Sequence, residues 1–212
     1  MEDYNFVNTT KYLGIHIDKK LTWDSHIDQI TTRLSRVIYL LNRLRTVVPK
    51  NYIRSAYYAY FQSIIRYGLI LWGNCTRIHE VLILQKKAIR IITNSHLKEH
   101  CKPLFKNMEI PTVINLYIFD SLFYVINNPN LVVPKHSLHN QNTRGKNESQ
   151  IRFCCLSKSV NSHIVVPIKI FNFVEPLVRK YKSDNFQKIF YSWLIRNPFY
   201  SIDEFFSASL DL

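Results

Sequence analysis

The chain has 212 residues, of which 28 are lysine or arginine and 15 are aspartate or glutamate, so its formal net charge is +13. Hydrophobic residues make up 47% of it and glycines number only four, which excludes a disordered tail and favours a globular, mainly helical chain. This charge indicates a nucleic acid as partner before an anionic membrane. No uninterrupted apolar run of about 20 residues occurs, so we expect no membrane span.

The N-terminus and the cysteines indicate the compartment. Residues 1–8 are acidic and polar, where a signal peptide would carry cationic and then apolar side chains. No Cys-x-x-Cys repeat connects Cys75, Cys101, Cys154 and Cys155, so neither a zinc ribbon nor a disulfide framework is indicated. We expect an intracellular protein of the nucleus or cytoplasm that is not secreted, has no cofactor and takes no small-molecule substrate.

The first pattern along the chain predicts a strand over residues 11–18. Leu13, Ile15 and Ile17 alternate with polar or small residues, which is the period of a half-buried strand. Gly14 suggests that another backbone approaches closely. A strand needs a partner, and the ten residues before this one supply no obvious candidate.

An amphipathic helix is predicted to follow, up to Pro49. Ser25 and Asp28 are typical of a capping signal at its N-terminus, and Pro49 ends it because proline lacks an amide hydrogen. Its apolar residues recur at alternating spacings of three and four, which places them on one stripe. They are Ile27, Ile30, Leu34, Val37, Leu41, Leu44 and Val48.

A long stretch without acidic residues coincides with this helix and the next. No carboxylate occurs between Asp28 and Glu80, whereas an ordinary solvated face mixes both signs. We predict a strongly positive surface there, with Arg33, Arg36 and Arg43 beside the apolar stripe, near its edge. The cations of the stretch are Arg33, Arg36, Arg43, Arg45, Lys50, Arg54, Arg66 and Arg77.

The second helix starts near Pro49, which can be a first helical residue. At a spacing of four, one face interleaves guanidinium groups with an aromatic ring through Arg54, Tyr58, Gln62 and Arg66. Guanidinium groups pair with phosphates and aromatic rings stack on bases; the alternative is an ordinary solvated face. The predicted apolar side comprises Ile53, Tyr57, Tyr60, Phe61, Ile64 and Leu71.

Two more helices are predicted after a break at Gly73. The third carries Lys86, Lys87 and Arg90 on its polar side, which we count as phosphate contacts, although such a set is also typical of a solvated face. The fourth, which Pro111 opens, is predicted to lie in the core. Its apolar residues are Ile114, Tyr117, Ile118, Leu122 and Val125.

The C-terminal part begins with a predicted linker. Residues 127–150 are rich in Asn, Ser, Pro and His, and we expect turns there. Two short apolar runs, 151–156 and 162–166, are predicted to pair as a hairpin. A helix then starts at Pro167 and another ends at Pro198, and residues 205–206 are expected to pack on the core.

The best metal candidate combines His96, His100 and Cys101. The histidines are four apart and can share a helix face, but structural zinc needs a fourth ligand, for which Cys75 or His79 would have to fold back. The alternative is surface histidines beside a small apolar cysteine. We expect no metal.

Short motifs spread over nearly the whole chain carry a family resemblance. They are Lys11-Tyr12-Leu13-Gly14-Ile15-His16-Ile17-Asp18, Leu21-Thr22-Trp23, His26-Ile27, Tyr67-Gly68, Trp72-Gly73 and the segments 84–90, 100–105, 171–172 and 200–206. In order and spacing they resemble the jockey-like group of non-LTR retrotransposon reverse transcriptases, over the end of the palm, the thumb and the segment after it. The resemblance implies that Tyr12, Leu13 and Gly14 are remnants of a primer grip, and that the following helices form a thumb.

The resemblance also implies a domain organisation. Residues 1–23 would be the palm-like strand and turn, 24–126 a helical thumb-like domain, 127–150 a linker and 151–212 a smaller C-terminal module of helices with a hairpin. The expected fold class is therefore mainly α, with a short N-terminal β segment.

The expected function follows from what the family has and this chain lacks. Such polymerases hold two divalent metals on palm carboxylates, including an adjacent aspartate pair, and no such pair occurs here. We expect a non-catalytic C-terminal fragment, preceded in a parent polyprotein by a palm, that binds RNA or an RNA–DNA hybrid. The alternative is a helical scaffold for protein–protein interaction; a hydrolase is disfavoured because no nucleophile sits in an activated setting.

Overall fold

The computed structural model describes residues 7–131, 162–180 and 183–211. Over these ranges the chain is mainly α-helical with one short β-hairpin at the start, which confirms the predicted fold class. The chain divides into two compact units, Met1–Leu104 and Phe105–Leu212, so the fourth predicted helix, which we assigned to the thumb-like domain, belongs to the second unit. Most of the predicted linker, residues 132–150, lies outside the described residues.

The first unit consists of a hairpin followed by helices. Its strands are β1 Thr9–Tyr12 and β2 Ile15–Asp18. Its helices are α1 Asp24–Leu44, α2 Lys50–Ala56, a π-helical stretch Tyr57–Gln62, α3 Ser63–Arg66, α4 Leu69–Trp72 and α5 Ile78–Thr93. Helix α6, Cys101–Met108, spans the division between the two units.

The single strand predicted for residues 11–18 is wrong, because the chain turns in its middle. Leu13 and Gly14 have φ angles of 47° and 83°, and a two-residue hairpin turn requires such left-handed conformations. The two halves pair as antiparallel strands, with Tyr12 opposite Ile15. Gly14 therefore serves the turn, not a close backbone approach.

Helix α1 packs along α5 and forms the core of the first unit. Its buried residues are His26, Ile27, Ile30, Leu34, Ile38 and Leu41. The predicted stripe is thus confirmed at most positions, but Ile38 faces the core where we placed Val37, and Val48 lies beyond the end of the helix at Leu44. The buried residues of α5 are Val81, Leu82, Gln85, Ala88, Ile89 and Ile92.

The predicted capping by Ser25 does not form. Trp23 precedes α1 in the left-handed conformation without a side-chain cap, and Ser25 already lies inside the helix. The carboxylate of Asp18 instead accepts hydrogen bonds from the backbone amides of Thr22 at 2.9 Å and Trp23 at 2.6 Å. Burial opposes ionisation of Asp18, but these amides outweigh it and hold the pKa of the carboxyl below its ordinary value.

The helix after Pro49 contains a π-helical stretch that the sequence pattern did not reveal. Its buried apolar side chains recur at a uniform spacing of four and comprise Ile53, Tyr57, Phe61 and Ile65, and the polar Gln62 is buried as well. In a pure α-helix residues four apart drift by about 40°, and the wider π turn offsets this drift. Tyr60 is therefore 55% exposed, and Ile64 is half-buried, which corrects their predicted place on the apolar side.

The second unit is built around one apolar helix. Beyond the end of α6 it contains α7 Val113–Asn127, a 3-10 turn Pro129–Leu131, α8 Val165–Lys180, α9 Ser183–Arg196 and α10 Ile202–Phe206. Helix α7 is buried on nearly all sides, as expected of a helix that is apolar all round, and it packs mainly on α8. Residues 162–166 form a turn and the start of α8, so they are not the predicted hairpin strand; its other strand lies outside the described residues.

A buried asparagine connects the loops of the second unit. The amide nitrogen of Asn115 donates to the carbonyl oxygens of Leu194 at 2.6 Å and Asn197 at 3.0 Å, and its side-chain oxygen accepts from the amide of Phe199 at 3.1 Å. Thr112 caps α7 by accepting from the Asn115 amide at 3.1 Å. Asn115 thus satisfies backbone groups that a buried helix end would otherwise leave unpaired.

The C-terminal residues pack as predicted. Phe205 is fully buried, and its ring centroid lies 5.6 Å from that of Phe199 and 6.3 Å from that of Trp193. No single helix of the described ranges is both long and apolar enough to cross a membrane; only α6 and α7 taken together, as a bent pair, have the length and composition.

Candidate nucleic-acid interface

Three arginines lie on the exposed side of α1. Arg33, Arg36 and Arg43 are all exposed. At 100° per residue Arg36 and Arg43 fall opposite the buried stripe, which corrects their predicted place near its edge. None of the ion pairs within the described residues involves any of the three. We call these three residues the α1 arginine face.

Arg43 is oriented by its neighbour one turn earlier. Its Nε donates to the hydroxyl oxygen of Tyr39 at 3.1 Å, and its guanidinium carbon lies 5.3 Å from the centroid of the Tyr39 ring. Tyr39 itself is 62% exposed. A cation held over an aromatic ring in this way is partly preorganised for binding an anion.

Arg77 is not unopposed, contrary to the sequence expectation. Its guanidinium contacts Glu80 at 2.6 Å, Asp28 at 2.8 Å and Asp24 at 3.7 Å. The hydrogen bonds to Glu80 and then Asp28 raise the pKa of Arg77, and the same contact lowers the pKa of Glu80. Three acids are thus gathered around Arg77 at the N-terminal ends of α1 and α5.

The predicted row on the second helix is only partly exposed. The Arg54 guanidinium carbon lies 5.8 Å from the centroid of the Tyr58 ring, and both residues are half-buried, while Arg66 is exposed. Gln62 is 7% exposed and interrupts the row, because it closes the π-helical stretch and turns towards the core. The row therefore presents two separate cations rather than one continuous face.

The three basic residues of α5 differ in their surroundings. Lys87 is exposed, whereas Lys86 and Arg90 are half-buried. Arg90 donates from Nε and Nη2 to the backbone oxygen of Glu99, at 3.1 and 2.8 Å. These hydrogen bonds fix the segment after α5 and engage the Arg90 guanidinium. Lys87, which is exposed, is therefore the most accessible of the three for a ligand.

The residues compared to a primer grip form the tip of the hairpin. Tyr12 is 65% and Leu13 72% exposed, and the Tyr67 hydroxyl donates to the Leu13 carbonyl oxygen. Gly68 lies so close to β2 that a side-chain carbon on it would come within 2.8 Å of Ile15 Cδ1. The motif residues of this region therefore dock the hairpin on the helices.

Sequence reasoning missed the role of His26, which lies beneath the hairpin. It is 4% exposed, and its Nδ1 accepts a hydrogen bond from the His16 amide at 3.4 Å, while its Nε2 has no partner in the described part of the chain. Its ring lies 5.8 Å from Trp72 and 6.3 Å from Trp23. Burial first, and then His16 and Arg33, lower the pKa of His26 to about 4. The ring is neutral at pH 7.

The metal candidate is not assembled on a helix. Helix α5 ends at Thr93 and α6 begins at Cys101, so His96 and His100 do not share a helix face as predicted. The Nδ1 of His96 accepts from the Lys98 amide at 3.3 Å, and Cys101 is buried. Within the described ranges no three His, Cys, Asp or Glu side chains are grouped so that they could hold a metal ion.

The chain is similar in sequence to one class of curated proteins, the RNA-directed DNA polymerases of mobile elements. In Drosophila melanogaster it is 30% identical to the probable RNA-directed DNA polymerase from transposon BS, 26% to the probable enzyme from transposon X-element and 27% to the RNA-directed DNA polymerase from mobile element jockey. The matches cover 49%, 51% and 48% of this chain, and 12% of each relative.

These relatives confirm the resemblance to the jockey-like group. No protein-family model matches the chain. No solved structure matches it either.

Proposed function

We propose that the first unit binds the phosphate backbone of an RNA or RNA–DNA duplex, as the thumb-like part of a retrotransposon-type RNA-directed DNA polymerase. The observation that supports this proposal most is the α1 arginine face, three exposed guanidinium groups without a carboxylate partner in the described part of the chain. Because the similar proteins are RNA-directed DNA polymerases of mobile elements, we take the bound polyanion to be a nucleic acid.

The spacing of the arginines suits a strand of phosphates. Arg36 and Arg43 are separated by two helical turns, a rise of about 10.5 Å. A B-form duplex carries one phosphate per strand for about every 3.4 Å of its axis, so this rise exceeds the axial spacing of neighbouring phosphates. Each guanidinium therefore reaches a different phosphate, and the two contribute independent, charge-assisted hydrogen bonds.

The proposed contacts fix a duplex in place without reading its bases. Contacts to phosphates carry no sequence information, so affinity should vary little between sequences of equal length. Each neutralised phosphate adds about −0.9 to the slope of log affinity against log salt on a B-form duplex. An interface with a protein, which is the alternative function, would be centred on exposed aromatic side chains and change much less with salt.

The test replaces two arginines of the face together. Arg33→Gln with Arg36→Gln should flatten the salt slope by up to about 1.8 and weaken binding to a hybrid duplex by up to roughly 60-fold at 0.1 M salt. The matched control is Lys188→Gln with Arg196→Gln, which removes the same charge from exposed positions of the second unit. It should leave both quantities nearly unchanged.

Two results would count against the proposal. Equal losses in the arginine-face variant and the control would mean that only net charge matters. Unchanged affinity and slope in the arginine-face variant, with a normal circular dichroism spectrum, would mean that the arginines are solvated surface.

We further propose that this chain alone extends no primer, because it contains no adjacent pair of aspartates of the kind such polymerases use to hold two metal ions. Magnesium-dependent extension of a primer on an RNA template by the purified chain, abolished by a chelator, would contradict this.

A further inference from the structure

A groove of about 590 Å³ lies between the C-terminal half of α1 and the end of α5, beside the α1 arginine face. Its volume falls within the roughly 300–1,000 Å³ typical of small-molecule sites. The residues that line it are Ser35, Ile38, Tyr39, Asn42, Arg45, Lys87, Ile91, Ser95, His96 and Leu97.

The polar part of the groove is cationic. Arg45 and Lys87 supply positive charge from opposite helices, and none of the ten lining residues carries a carboxylate. Arg45 Nη1 donates to the side-chain oxygen of Asn94 at 3.3 Å, which holds the guanidinium near the end of α5 and leaves its other donors available. Asn42 and Ser95 add amide and hydroxyl groups, whereas the Ser35 hydroxyl already donates to the Thr31 carbonyl oxygen at 2.8 Å. This part therefore suits a phosphate or a sugar.

The apolar part of the groove offers a surface for a planar group. Ile38 and Ile91 line it, together with the Tyr39 ring and Leu97, which are 62% and 74% exposed. The guanidinium of Arg43 covers the Tyr39 ring at 5.3 Å. Tyr39 thus connects the groove directly to the α1 arginine face.

We propose that this groove holds one unstacked nucleotide of a single-stranded overhang, with its phosphate between Arg45 and Lys87 and its base against Tyr39 and Leu97. The inference rests on the proposed function, since the duplex next to the overhang would lie on the α1 arginine face. Charge complementarity favours a nucleotide over an apolar helix or peptide, because two cations in the lining would remain unpaired against an apolar occupant. Stacking one base on an aromatic ring increases affinity by about 5- to 150-fold.

The test compares two RNA–DNA hybrids that share a duplex, one blunt and one with a three-nucleotide overhang. The parent chain should bind the overhang hybrid at least fivefold more tightly. Tyr39→Leu with Leu97→Ser changes no charge and removes the stacking surface at exposed positions. This variant should bind both hybrids equally. Because Tyr39 also orients Arg43, its affinity for the blunt duplex should fall as well, so the readout is the ratio of the overhang and blunt affinities within each protein.

A second variant and a free nucleotide identify the chemistry. Arg45→Gln should reduce the overhang preference and flatten the salt slope of the overhang hybrid by about 0.7 relative to the blunt one. Uridine monophosphate at millimolar concentration should abolish the preference if the groove accepts a nucleotide from solution as well as from a strand. If free uridine monophosphate leaves the overhang preference of the parent chain unchanged, while the groove variants lose it, the groove is still supported. It then accepts a nucleotide only as part of an overhang.

Failure of this inference is distinguishable from failure of the proposed function. Equal binding of the two hybrids by the parent chain overturns the groove proposal alone. A preference that survives both Tyr39→Leu with Leu97→Ser and Arg45→Gln, in variants with parental circular dichroism spectra, also overturns it. Absence of binding to either hybrid overturns the proposed function, and this inference with it.

Discussion

The two compact units carry their charge differently. Over the full sequence, the first unit has 16 lysines and arginines against 7 aspartates and glutamates, whereas the second has 12 against 8. Three acids of the first unit gather around the single guanidinium of Arg77. The larger positive excess therefore lies in the first unit, where the α1 arginine face is exposed to solvent.

The units also differ in how their central helices are covered. Helix α1 buries one stripe and leaves its other sides exposed, whereas α7 is buried on most sides and carries a single charged residue, Asp120. A helix of the first kind has a free face that can contact a ligand. A helix of the second kind serves the core. A ligand-binding surface should therefore be sought in the first unit, whereas the central helix of the second unit serves packing.

The largest effect is expected from the buried asparagine of the second unit. Asn115→Leu would leave the carbonyl oxygen of Asn197 and the amide of Phe199 without their Asn115 partner, while the carbonyl oxygen of Leu194 keeps only the Asn197 amide at 3.1 Å. We expect the free energy of unfolding to fall by about 4 kcal/mol. Chemical denaturation measures it. The same substitution at exposed Asn107 should cost less than about 0.5 kcal/mol.

This variant also sharpens the contrast between the units. Under native conditions Asn115→Leu should keep the parental affinity for a blunt duplex, because the proposed contacts lie in the first unit. Equal destabilisation by the two asparagine variants would show that the buried network contributes little.

An acid-dependent loss of stability is expected in the first unit. The folded pKa of His26, about 4, is below its ordinary value of 6.5, so between these values the unfolded chain binds more protons and stability falls as pH falls. The loss should approach about 3 kcal/mol at pH 4 and be absent above pH 7. Urea midpoints followed through Trp23 and Trp72 fluorescence measure it.

A variant isolates the histidine from other acid effects. His26→Phe removes the titrating group, and its stability should change less between pH 7 and pH 4 than that of the parent. The same pH dependence in both proteins would exclude His26 as the cause.

A smaller effect is expected where the hairpin docks. Gly68 has φ of 64°, and a side-chain carbon there would lie 2.8 Å from Ile15 Cδ1. Gly68→Ala should cost about 2 kcal/mol, from the left-handed backbone and this contact. In an Ile15→Val background, which lacks Cδ1, the cost should drop to about 1 kcal/mol. An unchanged cost in the double variant would mean that the hairpin shifts freely away.

The sequence predicted those features that repeat with a regular period. Most of the stripe of α1 and the apolar character of α7 follow from spacings of three and four, and the structure confirms them. The π-helical stretch was not predictable in this way, because its widening is visible only through the spacing of four between the buried apolar side chains from Ile53 to Ile65. The hairpin turn at Leu13-Gly14 was missed because leucine rarely adopts a left-handed conformation.

Features that join distant parts of the chain had no local signal. Arg77 contacts Asp28 across 49 residues, and Asn115 contacts Leu194 across 79. Such partners are brought together only by the packing of the helices. A single sequence could therefore indicate that α1 is basic, but not which cation the nearby acids engage.

We propose that nucleic acid contacts the first unit through the α1 arginine face. Arginine footprinting tests this contact most directly. An arginine-specific reagent such as phenylglyoxal, with mass spectrometry, compares the free chain with the chain bound to a hybrid duplex. Arg33, Arg36 and Arg43 should be strongly protected by the duplex, whereas exposed Arg196 of the second unit should react equally in both states. Protection of Arg196 without protection of the three α1 arginines would contradict the account.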